Sequence, residues 1–547
     1  MGETSVLTDH SRRLASAAYA KVSVDGDVRA AEDLLGQAGR AAAWPTPESA
    51  IAASSVILSA DGDIGTAHRL LLTAIDHPAE DGADDETAAT TADAALRTLE
   101  QICYAGGHAE LWATLRGQLG LAQDWPQCRD KAGFPVLAAL AASVADPVRT
   151  PPAALSLLDA EIAALSYEPD PSRVTRIAMT AVYVDRLPGC RHALRRVSRA
   201  ERAASHLAEV INAEGLLAIE AYQTGQWAEA TRLAEAAAAL CEAQGYELYR
   251  CICSLVWAFV LADRGHAVVA EELAGQIIRW AAPRRAGRLQ AAARYVSVRC
   301  ALAESDFSAA YDHAVRISPA GTLAAHEAYA PWVMLDLVEA ALRTGRVAEA
   351  TAHVAAMRDA GVAAVSPRLA LLATTAEAMV AADADADALF GRALAIEDVD
   401  RWPFDLARTR LLYGEWLRRN CGAGRAARQP SSHVITAARA HLAAAYDAFR
   451  WLGAGTWADR AAAELRATGL VRQRGLAEEL TPQELQIAQL AATGLSNKQI
   501  GSHLFLSHRT VGAHLYRIFP KLGITSRAAL RDALSRQQAA VAGAAVL

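Results

Sequence analysis

Through most of the chain apolar residues return at intervals of three and four, with polar residues between them, and no long stretch alternates residue by residue. The first pattern belongs to helices with one buried stripe and the second would belong to strands, so an all-α fold is expected. Within it a phrase recurs, in which a small or turn-forming residue is followed at once by an Ala-rich helix. It reads Thr224-Gly225-Gln226-Trp227-Ala228-Glu229-Ala230, Arg264-Gly265-His266-Ala267, Ser305-Asp306-Phe307-Ser308-Ala309-Ala310 and Thr344-Gly345-Arg346-Val347-Ala348-Glu349-Ala350, with a weaker echo near Asp385. The turn positions 225, 265, 306, 345 and 385 step by 40, 41, 39 and 40 residues, room for two helices of about 15 residues and two short turns. The unit is a helical hairpin. A lone hairpin cannot cover its apolar stripe, so hairpins are expected to stack, each touching only its neighbours, into a superhelix with a concave face.

Asp25-Gly26-Asp27, Asp61-Gly62-Asp63 and Gly106-Gly107-His108 extend the array less regularly toward the N-terminus. Between Asp124 and Ala200 the phase is lost, with Pro151-Pro152 and Pro169 to Pro171 as punctuation. Acidic Pro78–Ala92 and the Gly-, Arg-, Pro- and Ser-rich Asn420–Ser432 read as loops, and His433–Thr468 as one more hairpin. The expected division is an irregular helical-repeat region over 1–200, a regular hairpin array over 201–470, a polar linker over 471–479 and a separate domain over 480–547.

The last domain has its own punctuation. Thr481-Pro482-Gln483-Glu484 is a capping box with proline at the first helical position, and Gly494 stops the helix it opens. Ser496-Asn497-Lys498-Gln499 is a second capping box, for a helix that turns Ile500 and Leu504 inward. Ser507 caps a third helix whose Val511, Leu515, Ile518, Phe519 and Leu522 form one stripe, Gly523 stops it, and Ser526 caps a fourth. Two short helices joined by a three-residue turn, the second basic, predict a helix-turn-helix that enters the DNA major groove. The third helix offers His508, Arg509, Gly512, Ala513, Tyr516 and Arg517 to solvent. Arg509 and Arg517 can neutralise phosphates, and the N–H groups at the caps Ser496 and Ser507 can meet them.

Charge supports this reading. The 547 residues carry a net charge of −7, yet residues 481–538 hold +5 and the remainder −12, and two of the four lysines, Lys498 and Lys521, lie in the basic segment. A basic module on an acidic body is the electrostatic footprint of nucleic-acid binding. The eight cysteines include no C-x-x-C pair and read as reduced core residues. The N-terminus lacks a leader-like apolar run, and the longest apolar stretch, Leu255–Ala262, falls short of a membrane span. A cytoplasmic protein with no membrane contact is expected.

The C-terminal segment resembles the DNA-binding domain of bacterial LuxR-type transcription regulators. The matching residues are Leu480-Thr481-Pro482-x-Glu484, Gly494-Leu495-Ser496-Asn497-Lys498-x-Ile500, Leu506-Ser507-x-Arg509-Thr510-Val511, His514, Ile518-Phe519-x-Lys521-Leu522-Gly523 and Ser526-Arg527. The resemblance implies a four-helix domain with Gly512, Ala513 and Tyr516 facing the bases. It places Lys498, Arg509, Thr510, Lys521 and Arg527 toward the DNA backbone, where Ser507 and Arg517 join them. Two copies are expected to pair through their fourth helices, around Leu530 and Leu534, as a homodimer on an inverted repeat in a promoter. Many members carry lysine and asparagine where Gly512-Ala513 stands, and Pro520 is expected to interrupt the third helix and bend its last turn. The remainder is similar to the tetratricopeptide-like arm of the large ATP-binding, MalT-like members. The nucleotide-binding domain of those regulators is not expected, because no G-x-x-x-x-G-K-[ST] occurs and none of the four lysines follows a glycine.

Other constellations favour packing over chemistry. His503, His508 and His514 straddle a helix boundary without a cysteine or carboxylate to complete a metal set, Cys251 and Cys253 point about 200° apart on a helix, and Asp84-Asp85-Glu86 reads as a solvated loop. Trp227, Trp257, Trp280, Trp332 and Trp402 could line a ligand groove but fit core positions better. No nucleophile with a base and orienter appears, so no enzyme, cofactor or metal is expected. The function expected is a DNA-binding transcription regulator whose helical arm senses a small-molecule or protein effector in its groove. A helical-repeat scaffold that binds a protein or peptide and uses its terminal domain for assembly is the alternative, and an enzyme housed in 124–200 a weaker third.

Overall fold

Glycine closes the hairpins for two reasons at once. At Gly225 and Gly265 the backbone is left-handed, with φ of 77° and 88°, a conformation other residues adopt only with strain. A Cβ at Gly225 would also stand 2.7 Å from Pro403 Cγ, and one at Gly265 2.7 Å from Thr456 Cγ2, so both turns are pressed against distant helices. The computed structural model describes residues 2–22, 27–41, 46–76, 85–122, 141, 143–199, 207–420, 432–469, 480, 482–504, 508–522, 524, 527–531 and 533–534. Among these there is no strand. By its contacts the chain divides into two compact units, Met1–Thr468 and Gly469–Leu547.

The first unit is a superhelix of helical hairpins. Leu207–Gln223 pairs with Trp227–Gln244, Glu247–Arg264 with Ala267–Ala281, Gly287–Ala303 with Phe307–Ala314, Ala330–Arg343 with Val347–Asp359, and Pro367–Val380 with Asp383–Leu394. The third turn differs by one residue from the repeat phrase: Ser305 takes the left-handed conformation, and Asp306 caps the next helix by accepting from the Ala309 N–H at 3.0 Å. Asp385 is no turn. It lies within the first turn of Asp383–Leu394, entered through an extended Ala382. Pro403–Asn420 and the hairpin Ser432–Leu452 with Gly455–Ala467 complete the unit, and the loop expected over 420–432 lies outside the described residues except at its helical ends.

Proline misleads the sequence reading between 124 and 200. Pro152 and Pro171 open regular helices, Pro152–Ala164 and Pro171–Tyr183, where the missing N–H costs nothing, and Leu187–Arg199 follows. These two prolines start helices and interrupt neither. The acidic loop is likewise shorter than expected, since the helix Asp85–Gly106 already includes Asp85 and Glu86, which the N-terminal end of a helix dipole favours. Asp84 lies outside the described residues.

Hairpins also touch far beyond their neighbours. The helix Pro47–Ala60 packs on Glu247–Arg264, and Asp85–Gly106 on Gly287–Ala303. Tyr246 donates its hydroxyl to the Val22 carbonyl oxygen at 2.6 Å, and Arg284 Nε donates to that of Asp61 at 2.6 Å. On the other side Trp227 meets Phe404, with ring centroids 5.7 Å apart. The expectation of neighbour-only contacts is therefore corrected: N- and C-terminal helices of the unit close onto its middle hairpins.

A chain of buried charges ties the middle hairpins to the last ones. Asp263 accepts from Arg299 at 2.6 and 2.8 Å, Asp336 from Arg299 and Arg408, Glu339 from Arg408 at 2.9 Å and Arg460 at 2.6 Å, and Glu415 from Arg460 at 2.9 Å and from Arg343. Burial alone would raise the Glu339 carboxyl, but the Arg460, Arg408 and Arg343 guanidiniums hold it down to about 2. The six described cysteines are buried and free of disulfides, and burial pushes the thiol of Cys190 up to about 12. Trp227, Trp332 and Trp402 are buried, while Trp257 and Trp280 are half-buried. No described helix is long and apolar enough to cross a membrane.

Candidate nucleic-acid interface

The second unit is built on three helices, Pro482–Ala492, Asn497–Leu504 and His508–Lys521, followed by a 3-10 turn Arg527–Ala529 that leads into helical residues 530–531 and 533–534. Ile487, Ala488, Ile500, Val511, Leu515 and Ile518 meet in one core, with Leu504, Phe519 and Leu522 packed at its edge. The third-helix stripe read from the sequence is thus the buried one. Gly494, at φ 95°, stops the first helix. Its N-terminal cap, Thr481, lies outside the described residues, as do Ser507, Gly523 and Ser526.

The second helix starts on the expected capping box. The Gln499 N–H donates to Ser496 Oγ at 3.3 Å, and the Ser496 N–H donates to Gln499 Oε1 at 2.8 Å. Lys498 is exposed beside this cap, and His508 and Thr510 are exposed at the start of the third helix. Arg509, Ala513, Tyr516, Arg517 and Lys521 have helical backbone in that helix, but their side chains lie outside the described set. Since Val511, Leu515 and Ile518 are buried, helical register puts positions 509, 513 and 516 on the opposite face, with 512 and 517 flanking it. Gly512 is half-buried, and a Cβ there would stand 3.5 Å from Asn497 Nδ2, so this edge of the third helix lies against the start of the second.

Three features of the second unit have surroundings that the sequence does not announce. Arg527, expected on the DNA backbone, donates to Asn497 Oδ1 at 2.6 Å and to the Leu495 carbonyl oxygen, and so fastens the turn before the second helix. Leu530 and Leu534, expected to meet a second copy, lie in the unit's own core at 0% and 8% exposure. Pro520 does not break the third helix, which runs on to Lys521 and is closed by Leu522 N–H donating to the Ile518 carbonyl oxygen at 3.0 Å. The clamp from Arg527 to Asn497 escaped the sequence reading. Its one signal is a second polar residue at the helix start: with Ser496 already the cap, the Asn497 side chain is left to serve another partner.

Residues 478–534 match the family model described as bacterial regulatory proteins, luxR family. A protein of Mycobacterium tuberculosis named "Putative HTH-type transcriptional regulator" is 39% identical over 90 residues, 15% of this chain and 10% of its own length. The nitrate/nitrite response regulator protein homolog of Haemophilus influenzae is 44% identical over 52 residues, 10% of this chain and 25% of its own. The transcriptional regulatory protein LiaR of Bacillus subtilis is 44% identical over 50 residues, 9% of this chain and 24% of its own. The chain thus spans about a tenth of the first relative's length and about a quarter of the other two. With the capped second helix, the third helix packed on it and the family match over the same residues, this chain carries a luxR-family helix-turn-helix domain at its C-terminal end.

Proposed function

We propose that the chain is a sequence-specific DNA-binding transcription regulator, with its helical superhelix as the sensing or interaction arm. The observation that carries this is the second unit itself: a capped helix with exposed Lys498, followed by a helix whose apolar stripe is buried and which shows His508 and Thr510 exposed at its start. The relatives of that segment are named as transcription regulators. In the proposed complex the third helix lies in the major groove, with Gly512, Ala513 and Tyr516 toward the bases. Lys498, Ser507, Arg509, Thr510, Arg517 and Lys521 meet phosphates, and Arg527 acts at one remove by positioning the second helix. Two copies bind an inverted repeat as a homodimer. With Leu530 and Leu534 buried, pairing uses the outer face of the fourth helix, where Arg531 is exposed. A dimer making about eight phosphate contacts should lose affinity with salt at a log–log slope of about −7. Fluorescence anisotropy of labelled promoter duplex against full-length protein, from low to high salt, tests this; a flat salt dependence would refute it.

A further inference from the structure

The helical unit contains a cavity of about 130 Å³ walled largely by aromatic and aliphatic side chains, among them Tyr104, Tyr183, Tyr249, Phe259, Tyr329 and Trp332. It lies where the N-terminal helices close onto the middle hairpins, walled by Pro47–Ala60, Asp85–Gly106 and Pro171–Tyr183 and by Leu207–Gln223, Glu247–Arg264, Gly287–Ala303 and the start of Ala330–Arg343. Apolar cavities of about 150 Å³ take up a molecule of benzene's size, whereas drug-sized sites begin at about 300 Å³. The occupant is small.

One wall residue is a cation. Arg288 lines the cavity with its guanidinium carbon 4.3 Å from the Tyr183 ring centroid and 5.5 Å from that of Tyr104, and its Nη1 donates to the Tyr104 carbonyl oxygen at 3.0 Å. A guanidinium has five N–H donors in a planar fork that suits a carboxylate. The contrast with the other interior arginines is sharp. Arg299 pairs with Asp263 and Asp336, Arg368 with Asp185 and Asp405, Arg408 with Asp336 and Glu339, and Arg460 with Glu339 and Glu415. Among the described residues no carboxylate stands within ion-pair distance of Arg288. Burial lowers its pKa from the ordinary arginine value, while it raises the carboxyl of its neighbour Glu327 to about 7. Arg288 is half-buried, with Glu327 near it but beyond ion-pair distance, and the two tyrosine rings recover part of the cost of drawing its charge out of water.

We infer that this cavity binds a small aryl or short-chain carboxylate, its apolar part among the aromatic walls and its anionic group on the Arg288 fork. The inference gives the effector of the regulatory reading a chemical class; it rests on that reading for its consequence alone, and binding is measured without DNA. Isothermal titration of the full chain compares phenylacetate with phenylacetamide, which has the same shape but no charge. Phenylacetate should bind saturably and at least tenfold tighter than the amide. Arg288→Met should erase that preference, and Ile252→Trp, which adds bulk to a half-buried wall position, should abolish binding of both, with circular dichroism of each variant unchanged. Equal binding of acid and amide, full acid preference in folded Arg288→Met, or no saturable binding of either compound at millimolar concentration would overturn the inference. The acid–amide comparison on the unaltered protein decides the matter even if Arg288→Met fails to fold. Loss of DNA binding would leave these results untouched.

Discussion

Glu339 is fully buried and meets three guanidiniums: Arg460 at 2.6 Å, Arg408 at 2.9 Å and Arg343 at 4.0 Å. Glu339→Gln keeps the shape and deletes the charge. Its carboxyl is held at about 2 against an ordinary value of 4.5, and at about 1.4 kcal/mol per pKa unit the charge contributes roughly 3 kcal/mol at neutral pH. Breaking one partner out of a buried ion pair gives the same range, about 3 to 5 kcal/mol. The sign follows from the lowered folded-state pKa. The contribution is present in full above 4.5 and is lost as pH falls toward 2, so the gap between wild type and variant should narrow to about 2 kcal/mol at pH 3.5. Urea unfolding followed by tryptophan fluorescence reports on the helical unit alone, because all 11 tryptophans precede residue 469. A gap under about 1 kcal/mol at pH 7, or one that does not narrow on acidification, would refute the assignment of Glu339 as the hub joining these helices.

His353 is fully buried, no hydrogen-bond partner to either ring nitrogen is present among the described residues, and burial pushes it down to about 4. The unfolded chain gains this proton near 6.5 and the folded one does not, so stability should fall by about 2 kcal/mol between pH 7 and pH 5, a slope that His353→Leu should flatten in urea midpoints. Arg527→Met should loosen the second helix: faster amide exchange at residues 497–500 and weaker binding to every duplex, with the preferred sequence retained. Arg509→Ala should weaken all duplexes alike and reduce the salt slope by about 1. Tyr516→Ala should change preference at one or two base pairs by about 1 to 3 kcal/mol each, and unchanged selectivity in a competition assay would remove it from the base-reading set.

Local grammar made much of the fold legible. Gly225, Gly265 and Gly345 mark turns because left-handed backbone selects glycine, and the Ser496 box marks a helix start because it satisfies two N–H groups within four residues. Pro152 and Pro171 were ambiguous for the same local reason, since proline both ends and opens helices, and only the hydrogen-bond pattern tells which. Contacts across the superhelix were illegible: nothing near Tyr246 signals that its hydroxyl will meet Val22. At the candidate interface the buried stripe could be read from spacing, but the fate of Arg527 could not. The family resemblance places Arg527 toward the DNA backbone, and nothing in the sequence shows that it also holds Asn497 and Leu495. Arg288 escaped because one arginine on an amphipathic helix reads as a solvated charge, and its place in a cavity wall is a property of packing.

Selection from random duplexes by the full-length protein tests the central claim most directly. If this chain reads DNA through the helix His508–Lys521 as a dimer, bound sequences should converge on an inverted repeat with half-site centres about 10 base pairs apart, or a multiple of that spacing. The same protein carrying Arg509→Ala and Tyr516→Ala should enrich that repeat less strongly and lose selectivity at one or two base pairs of each half-site. Failure of the unaltered chain to enrich any sequence, or the same motif enriched to the same extent after both substitutions, would contradict the account.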